Sequence, residues 1–471
     1  MQATSLKPAS TNRDHLSFGY LSLFGLSGLA GYYSTIGVQA LATPVYQMTL
    51  GVNPAWLGLA LAIPRVLDAF VDPIVGNISD NTHSRFGRRR PFIIVGAIAM
   101  ALTFGLIWMV PIGWSQGAQL SWFVGTSIIF FFCHSIFSVP LQSLSYEITP
   151  DYDERTRVQG FSSFFNRIGE LTYSWVFPLS QLAIFATPMI GVRSVAWGVA
   201  VFFLAIPGVI AGVAGRERFA KMAAQQEKVH FGATIRAAFA NRPFRYLIAM
   251  VVTTFLVGML ASSMDYYLLV YYVCHGDLAQ GSFWKGVLSS TYGIVGLISV
   301  PLLTAISKRI GKETTMIAVL GLLIVGACAR WWIFRPGTGW LIMLDPVLGG
   351  GALWVAITMV VQSMFADICD EDELASGQRR EGLFGAVFSW LTKAGTSLAF
   401  LVTGVVLNWV GFDVALKADQ APGTILAMRL FLTIAPALAA IACIILLKNY
   451  PLSRERAAEV RRQLEARRGI V

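Results

Sequence analysis

The chain has 471 residues, 55% of them hydrophobic and only 13% charged, with a formal net charge of +10. Soluble domains carry about a quarter charged residues, so this balance excludes an ordinary water-soluble fold and points to a chain that crosses a bilayer many times. Nucleic acid is not the expected partner of the positive charge, because the basic residues lie in short loops between long apolar segments.

A helix needs roughly 20 mainly apolar residues to cross the hydrocarbon core. In chain order this predicts spans near 17–45, 54–78, 91–111, 120–146, 160–186 and 192–214. After a polar stretch they resume near 244–274, 284–306, 313–334, 339–366, 383–411 and 424–447. The polar start, Met1–His15, leads directly into the first span with no evident cleavable signal peptide. Cys133, Cys274, Cys328, Cys369 and Cys443 are scattered and show no CxxC spacing. They read as buried apolar side chains; no disulfide framework, metal site or cofactor is expected.

Charge inside these spans is the functional signal, since an ionisable group at mid-bilayer costs a few kcal/mol on insertion scales. The first span offers Tyr32, Tyr33 and Gln39 as cavity candidates, the tyrosines as flat faces for a sugar ring or a lipid. The second, "RVLDAFVDPIVGNISDNTHSRFGRRRP", holds Asp68 and Asp72 four residues apart, hence on one helical face, with Arg65 one turn earlier. Two carboxylates this close in low dielectric share a proton, bind a cation or lean on a positive charge. Pro73 also frees the carbonyl of Ala69, an oxygen able to serve a cation. The alternative is that Arg65 and Asp68 only lock this helix to a neighbour. Later spans add His134, Ser138 and Gln142, then Arg167 with Glu170, then Asp265, and a pairing of Arg330 with Asp345. Buried Gln and His often just bond a neighbouring helix, and Arg167 with Glu170 can simply neutralise one another. Lys393, in "FSWLTKAGTSLAF", is too far from either membrane surface to snorkel easily. Its expected counter-charge is the Asp68/Asp72 pair, and Trp390, one turn earlier, is a further cavity candidate as a flat face for a sugar ring or a lipid.

Lys and Arg crowd into the N-terminal segment, the loop after the second span, the middle linker, the loop after the eighth span and the tail. That places both termini and the linker in the cytoplasm. Trp56, Trp114, Trp122, Trp284, Trp340 and Trp409 fall at the opposite helix ends, as an interfacial belt would. Few basic residues, such as Lys285, Arg335 and Lys417, fall in the intervening loops. Arg85, Arg88 and Arg89 from one half, with Glu147 and Asp367 at matching helix ends, are candidates for a cytoplasmic ion-pair gate. Orientation by positive charge alone is the other reading, and both can hold.

The halves echo one another. "QSLSYEITPDYDE" (Gln142–Glu154) aligns with "QSMFADICDEDEL" (Gln362–Leu374), and "DPIVGNISD" (Asp72–Asp80) more weakly with "VPLLTAISK" (Val300–Lys308). Six plus six helices around a basic linker resemble the major facilitators, whose substrate site lies at the midplane between the halves. The expected fold is an all-α membrane protein with twelve transmembrane helices in two pseudo-symmetric halves. Its parts are 1–214, a linker 215–243, a second half 244–447 and a tail 448–471.

The second-span stretch and "ADICDEDELASGQRREGLFGAVFSWLTKAG" (Ala366–Gly395) resemble the signatures of the glycoside–pentoside–hexuronide:cation symporters, which include the melibiose carrier. "SRFGRRRPFI" is also similar to a loop of plant sucrose–proton symporters. The resemblance implies that Asp68 and Asp72 form the cation site, with Lys393 beside it and Arg65 matching the family's preceding arginine. Val71 stands where the melibiose carrier has an asparagine tied to sodium selectivity, which tilts the ion toward H⁺ over Na⁺. Its sugar-binding aspartate and tryptophan of the fourth helix fall on Ser138 and Gln142, and the first helix, "LFGLSG", lacks its carboxylate. The expectation is therefore a cation-coupled symporter of a sugar or glycoside in the inner or plasma membrane. It has a small-molecule substrate, the bilayer as its surroundings, no nucleic acid and a monomeric state. Rival readings are a lysolipid or other amphiphile transporter of the same family and a non-transporting sensor or assembly factor on the same fold. No nucleophile–base set suggests an enzyme.

Overall fold

The computed structural model describes residues 16–82, 84–149, 152–215, 238–377 and 381–468. Lys7 and Arg13 and most of the middle linker lie outside the described residues, as does the side chain of Glu147. In the first half, α1 (Phe18–Gly25) is capped by the Ser17 side chain, and α2 (Ser27–Ala42) runs into a wider π-helical turn at Thr43–Thr49. The long α3 (Pro54–Asn81) starts where Asn53 accepts hydrogen bonds from the backbone N–H groups of Ala55 and Trp56. Proline at its first position suits an N–H that no helical bond would use, and the helix continues past Pro64 and Pro73. Then come α4 (Arg90–Ile107), α5 (Gln116–Glu147), α6 (Tyr152–Tyr173), α7 (Val176–Ser180), α8 (Pro188–Val199) and α9 (Ile206–Ala214).

The second half comprises α10 (Arg242–Tyr267), α11 (Leu278–Ile310), α12 (Lys312–Ile333), a short α13 (Gly351–Ala356), α14 (Gln362–Ser376), α15 (Glu381–Trp409) and α16 (Pro422–Lys448). Among the described residues, nine helical runs are long and apolar enough to cross a membrane. With the α1–α2 run, the 28 residues of α3 and the 22 of α6, the pattern is consistent with twelve spans. Most run longer than their apolar cores. Thus α11 begins at Leu278, which places Lys285 two turns inside a helix rather than in a loop. The basic tail is itself a helix, α17 (Arg454–Arg468), with Val460 and Leu464 buried.

One buried core joins residues between Leu16 and Leu204, and two others join residues between Ala238 and Leu452. Large apolar side chains also face outward, among them Phe202, Trp332, Trp340 and Trp409. In water such exposure is costly; against lipid it is the expected surface.

The halves meet at the end of the bundle away from the basic loops. There α3 and α15 approach so closely that a Cβ on Gly58 would lie 2.5 Å from the Phe400 carbonyl oxygen, and one on Gly404 2.3 Å from that of Pro54. Small residues permit this backbone approach in membranes. Asn408 Nδ2 donates to Asn53 Oδ1 at 2.9 Å, Tyr267 donates to Gln47, and Trp175 Nε1 donates to Ser290 Oγ at 2.8 Å. We therefore expect paired cysteines, Asn53→Cys with Asn408→Cys, to cross-link on oxidation. If the expected alternating access operates, uptake by vesicles should then fall below roughly a tenth, because that motion needs this seam to part, and a reductant should restore it. Unchanged uptake in the cross-linked protein would show that the seam does not open.

Candidate functional site

Midway along the seam, α3, α5 and α15 bring four charged or hydroxyl side chains together. Lys393 Nζ donates to Asp68 Oδ2 at 2.9 Å and pairs also with Asp72. Ser135 Oγ lies 2.7 Å from Asp68 Oδ1 and 2.7 Å from Asp72 Oδ1. The Asp68 side chain is 0% exposed, against 28% for Asp72 and 26% for Lys393. The deeper carboxylate is sealed and the outer one is reachable. Arg65 completes the set: Nη1 lies 3.9 Å from Asp68 Oδ2, Nη2 donates to the Thr35 carbonyl, and the guanidinium sits 4.4 Å above the ring centre of Phe131. With its amide oxygen turned toward Arg65, Gln39 accepts from Nη2 at 3.1 Å and from Nε at 3.2 Å. Two carboxylates thus face two cations in a largely dry setting, where an unmatched charge would cost several kcal/mol.

The serine geometry carries chemical information. A hydroxyl has one proton, so Ser135 donates to one carboxylate at a time. Two 2.7 Å contacts are satisfied by a proton shared between the two acceptors, or by a proton on the other carboxyl that donates back to the serine oxygen. Ser135 was absent from the sequence candidates, since a serine in an apolar helix looks like any other that bonds its own backbone. The only sequence signal was its place one turn before Ser138.

A cavity of about 750 Å³ lies between the halves, and its wall includes Tyr32, Gln39, Arg167 and Asp265. Its charges come in pairs within one half: Arg167 with Glu170, and Asp265 with Lys285. Arg330, also in the wall, holds Asp345 through Nε at 2.6 Å and Nη2 at 3.2 Å. Tyr292 donates to that same carboxylate at 2.5 Å. Asp265 is therefore the partner of Lys285, which sequence reasoning had placed in a loop.

The remaining candidates lie elsewhere. Tyr33 is buried in the first half, its hydroxyl 3.0 Å from Thr172 Oγ1. His134 is buried on α5, in electrostatic contact with Asp68, and its Nδ1 has no partner among the described residues. Ser138 and Trp390 are half-buried and Gln142 is exposed; none of the three lines the cavity. Of the gate residues, Asp367 pairs with Lys312 of its own half. Arg85 stacks on Phe86 at 4.8 Å, while Arg88 and Arg89 are buried. The neighbouring Arg90 donates to the Gly212 and Val213 carbonyls at 3.1 and 2.8 Å, at the end of α9. Part of the arginine block thus anchors its own half.

A family model described as MFS/sugar transport protein matches residues 23–454. The chain is 25% identical to an uncharacterized symporter of Synechocystis sp. (strain ATCC 27184 / PCC 6803 / Kazusa), over 88% of this chain and 91% of that protein. It is 27% identical to the isoprimeverose transporter of Lactiplantibacillus pentosus, over 80% of this chain and 77% of that one. Its fold superposes with a TM-score of 0.62 and 16% identity on a bacterial homolog of the human lysosomal transporter Spinster, covering 94% of this chain and 97% of that chain. The fold is that of the major facilitators.

Removing Lys393 leaves Asp68 buried beside a second carboxylate. The variant Lys393→Ala is expected to lose about 3–5 kcal/mol of stability, read as a lower thermal midpoint in detergent. Adding Asp68→Asn should recover most of the loss. An unchanged midpoint in Lys393→Ala would mean that the cluster does not hold the halves together.

Proposed function

The chain belongs to the MFS/sugar transport protein family, in the glycoside–pentoside–hexuronide:cation symporter branch, and from that premise we propose that it couples entry of a sugar or glycoside to a proton loaded at Asp68 and Asp72. It is a multi-pass membrane transporter and not an enzyme. The reading of the ion rests on one observation: Ser135 lies within hydrogen-bonding distance of both carboxylates, a geometry that a shared proton satisfies. Val71, which by the resemblance stands where the melibiose carrier has an asparagine tied to sodium selectivity, agrees with it.

In this mechanism Asp72, the reachable carboxylate, takes the proton. Its neutralisation removes one of the two charges that hold Lys393 and loosens the tie between α3 and α15 at mid-membrane. Arg65 keeps Asp68 ionised throughout, so Lys393 retains one anchor. The solute binds in the cavity between residues 1–214 and 244–447, and the halves then rock about it. The basic loops and both termini face the cytoplasm of an inner or plasma membrane, and the transporting unit is a monomer. A non-transporting sensor would have no use for two carboxylates and a lysine joined across the halves. An amphiphile carrier has no observation in its favour.

Uptake of radiolabelled glycosides into vesicles, under separately imposed proton and sodium gradients, tests this. A proton gradient should drive accumulation, and Asp72→Asn should abolish uphill uptake while leaving downhill exchange. Undiminished accumulation by Asp72→Asn would sink the coupling assignment, and acceleration by sodium alone would reassign the ion.

A further inference from the structure

Two buried donors in the cavity wall have no acceptor among the described residues. One is Nε2 of Gln47 in the first half; the other is Nη1 of Arg330 in the second. These residues are 2% and 6% exposed. Their other polar atoms are engaged, Gln47 by Tyr267 and Arg330 by Asp345. An unmet buried donor costs about 1–3 kcal/mol, and more when charged. Two of them on one cavity, one from each half, point to acceptor oxygens supplied from outside the chain.

The charges of the wall restrict what carries those oxygens. Arg167, Lys285 and Arg330 are each matched by a carboxylate: Glu170, Asp265 and Asp345. A uronate entering here would give up its hydration with no unmatched cation to receive it. Hydroxyl and ring oxygens accept hydrogen bonds without that cost. The indole of Trp354, also in the wall, adds a flat apolar face of the kind that packs against the C–H side of a sugar ring.

We propose that Arg330 and Gln47 form a substrate subsite, separate from the carboxylate–lysine cluster, that bridges the two halves through one neutral polyhydroxylated ring and discriminates against uronates. The subsite rests on the symporter reading and narrows its substrate class. By binding both halves at once, the ring links substrate occupancy to their approach.

The test uses the full chain in proteoliposomes under the gradient that drives uptake, with 4-nitrophenyl glucoside, 4-nitrophenyl xyloside and 4-nitrophenyl glucuronide as competing probes. The neutral glycosides should compete at least about tenfold better than the glucuronide, a difference of one weak hydrogen bond or a partial desolvation. The double variant Arg330→Gln with Asp345→Asn keeps the buried site neutral. It should raise KM for the neutral probe about tenfold while leaving the dependence on the cation gradient unchanged. Gln47→Leu, which disturbs no ion pair, should do the same and serves if the double variant does not fold. A glucuronide that competes as well as the glucoside, or KM values unchanged in both variants, overturns the subsite and leaves symport standing. Absence of uptake of any glycoside under either gradient overturns the symporter reading and the subsite with it.

Discussion

The ammonium of Lys393 is held by two carboxylates that belong to the other half of the molecule. In a low-dielectric interior none of these three groups is stable without the others, so the contact adds an ionic tie between the two halves at mid-membrane. Arg65 extends the balance on the first-half side, and Ser135 closes it with a hydroxyl shared between both acids. The tie differs from a packing contact in one respect. Its strength depends on how many protons or cations the carboxylates carry.

Around that tie the seam is built for close approach and for release. Gly58 and Gly404 let backbones touch where side chains would hold them apart, and the hydrogen bonds at the far end join side chains that can separate without unfolding a helix. The prolines inside α3 and α11, at Pro73 and Pro301, sit in the corresponding repeats of the two halves. A rigid-body motion needs such a boundary: firm cores on either side and contacts across it that can part without unfolding either half.

The cavity obeys a second rule, of charge neutrality. Its ionic side chains are matched within their own halves, so opening or closing the molecule does not strand a charge there. Only at Lys393 does the matching cross from one half to the other among the ion pairs described. Charge that must travel with the solute is thereby kept apart from charge that merely shapes the wall.

Much of this was legible in the residues. Ionisable groups in apolar runs stand out because the membrane makes them expensive, so Asp68, Asp72, Arg65 and Lys393 were visible in the chain, as were the two halves and the pairing of Arg330 with Asp345. Ser135, Gln47 and Lys285 were not. A hydroxyl or an amide in a membrane helix carries no cost that marks it, and Lys285 fell at the very edge of the apolar run 284–306, where a lysine reads as belonging to the loop. The helical tail was hidden for a similar reason, since its buried Val460 and Leu464 acquire meaning only once the tail packs on α14, where Arg467 donates to the Leu374 carbonyl. The sequence by itself determined which segments enter the bilayer and which charges must be buried, because those follow from transfer free energies that are local to each residue. Only the tertiary structure decided which charges meet, which donors stay unpaired and where the halves touch, because those depend on distances between residues far apart along the chain.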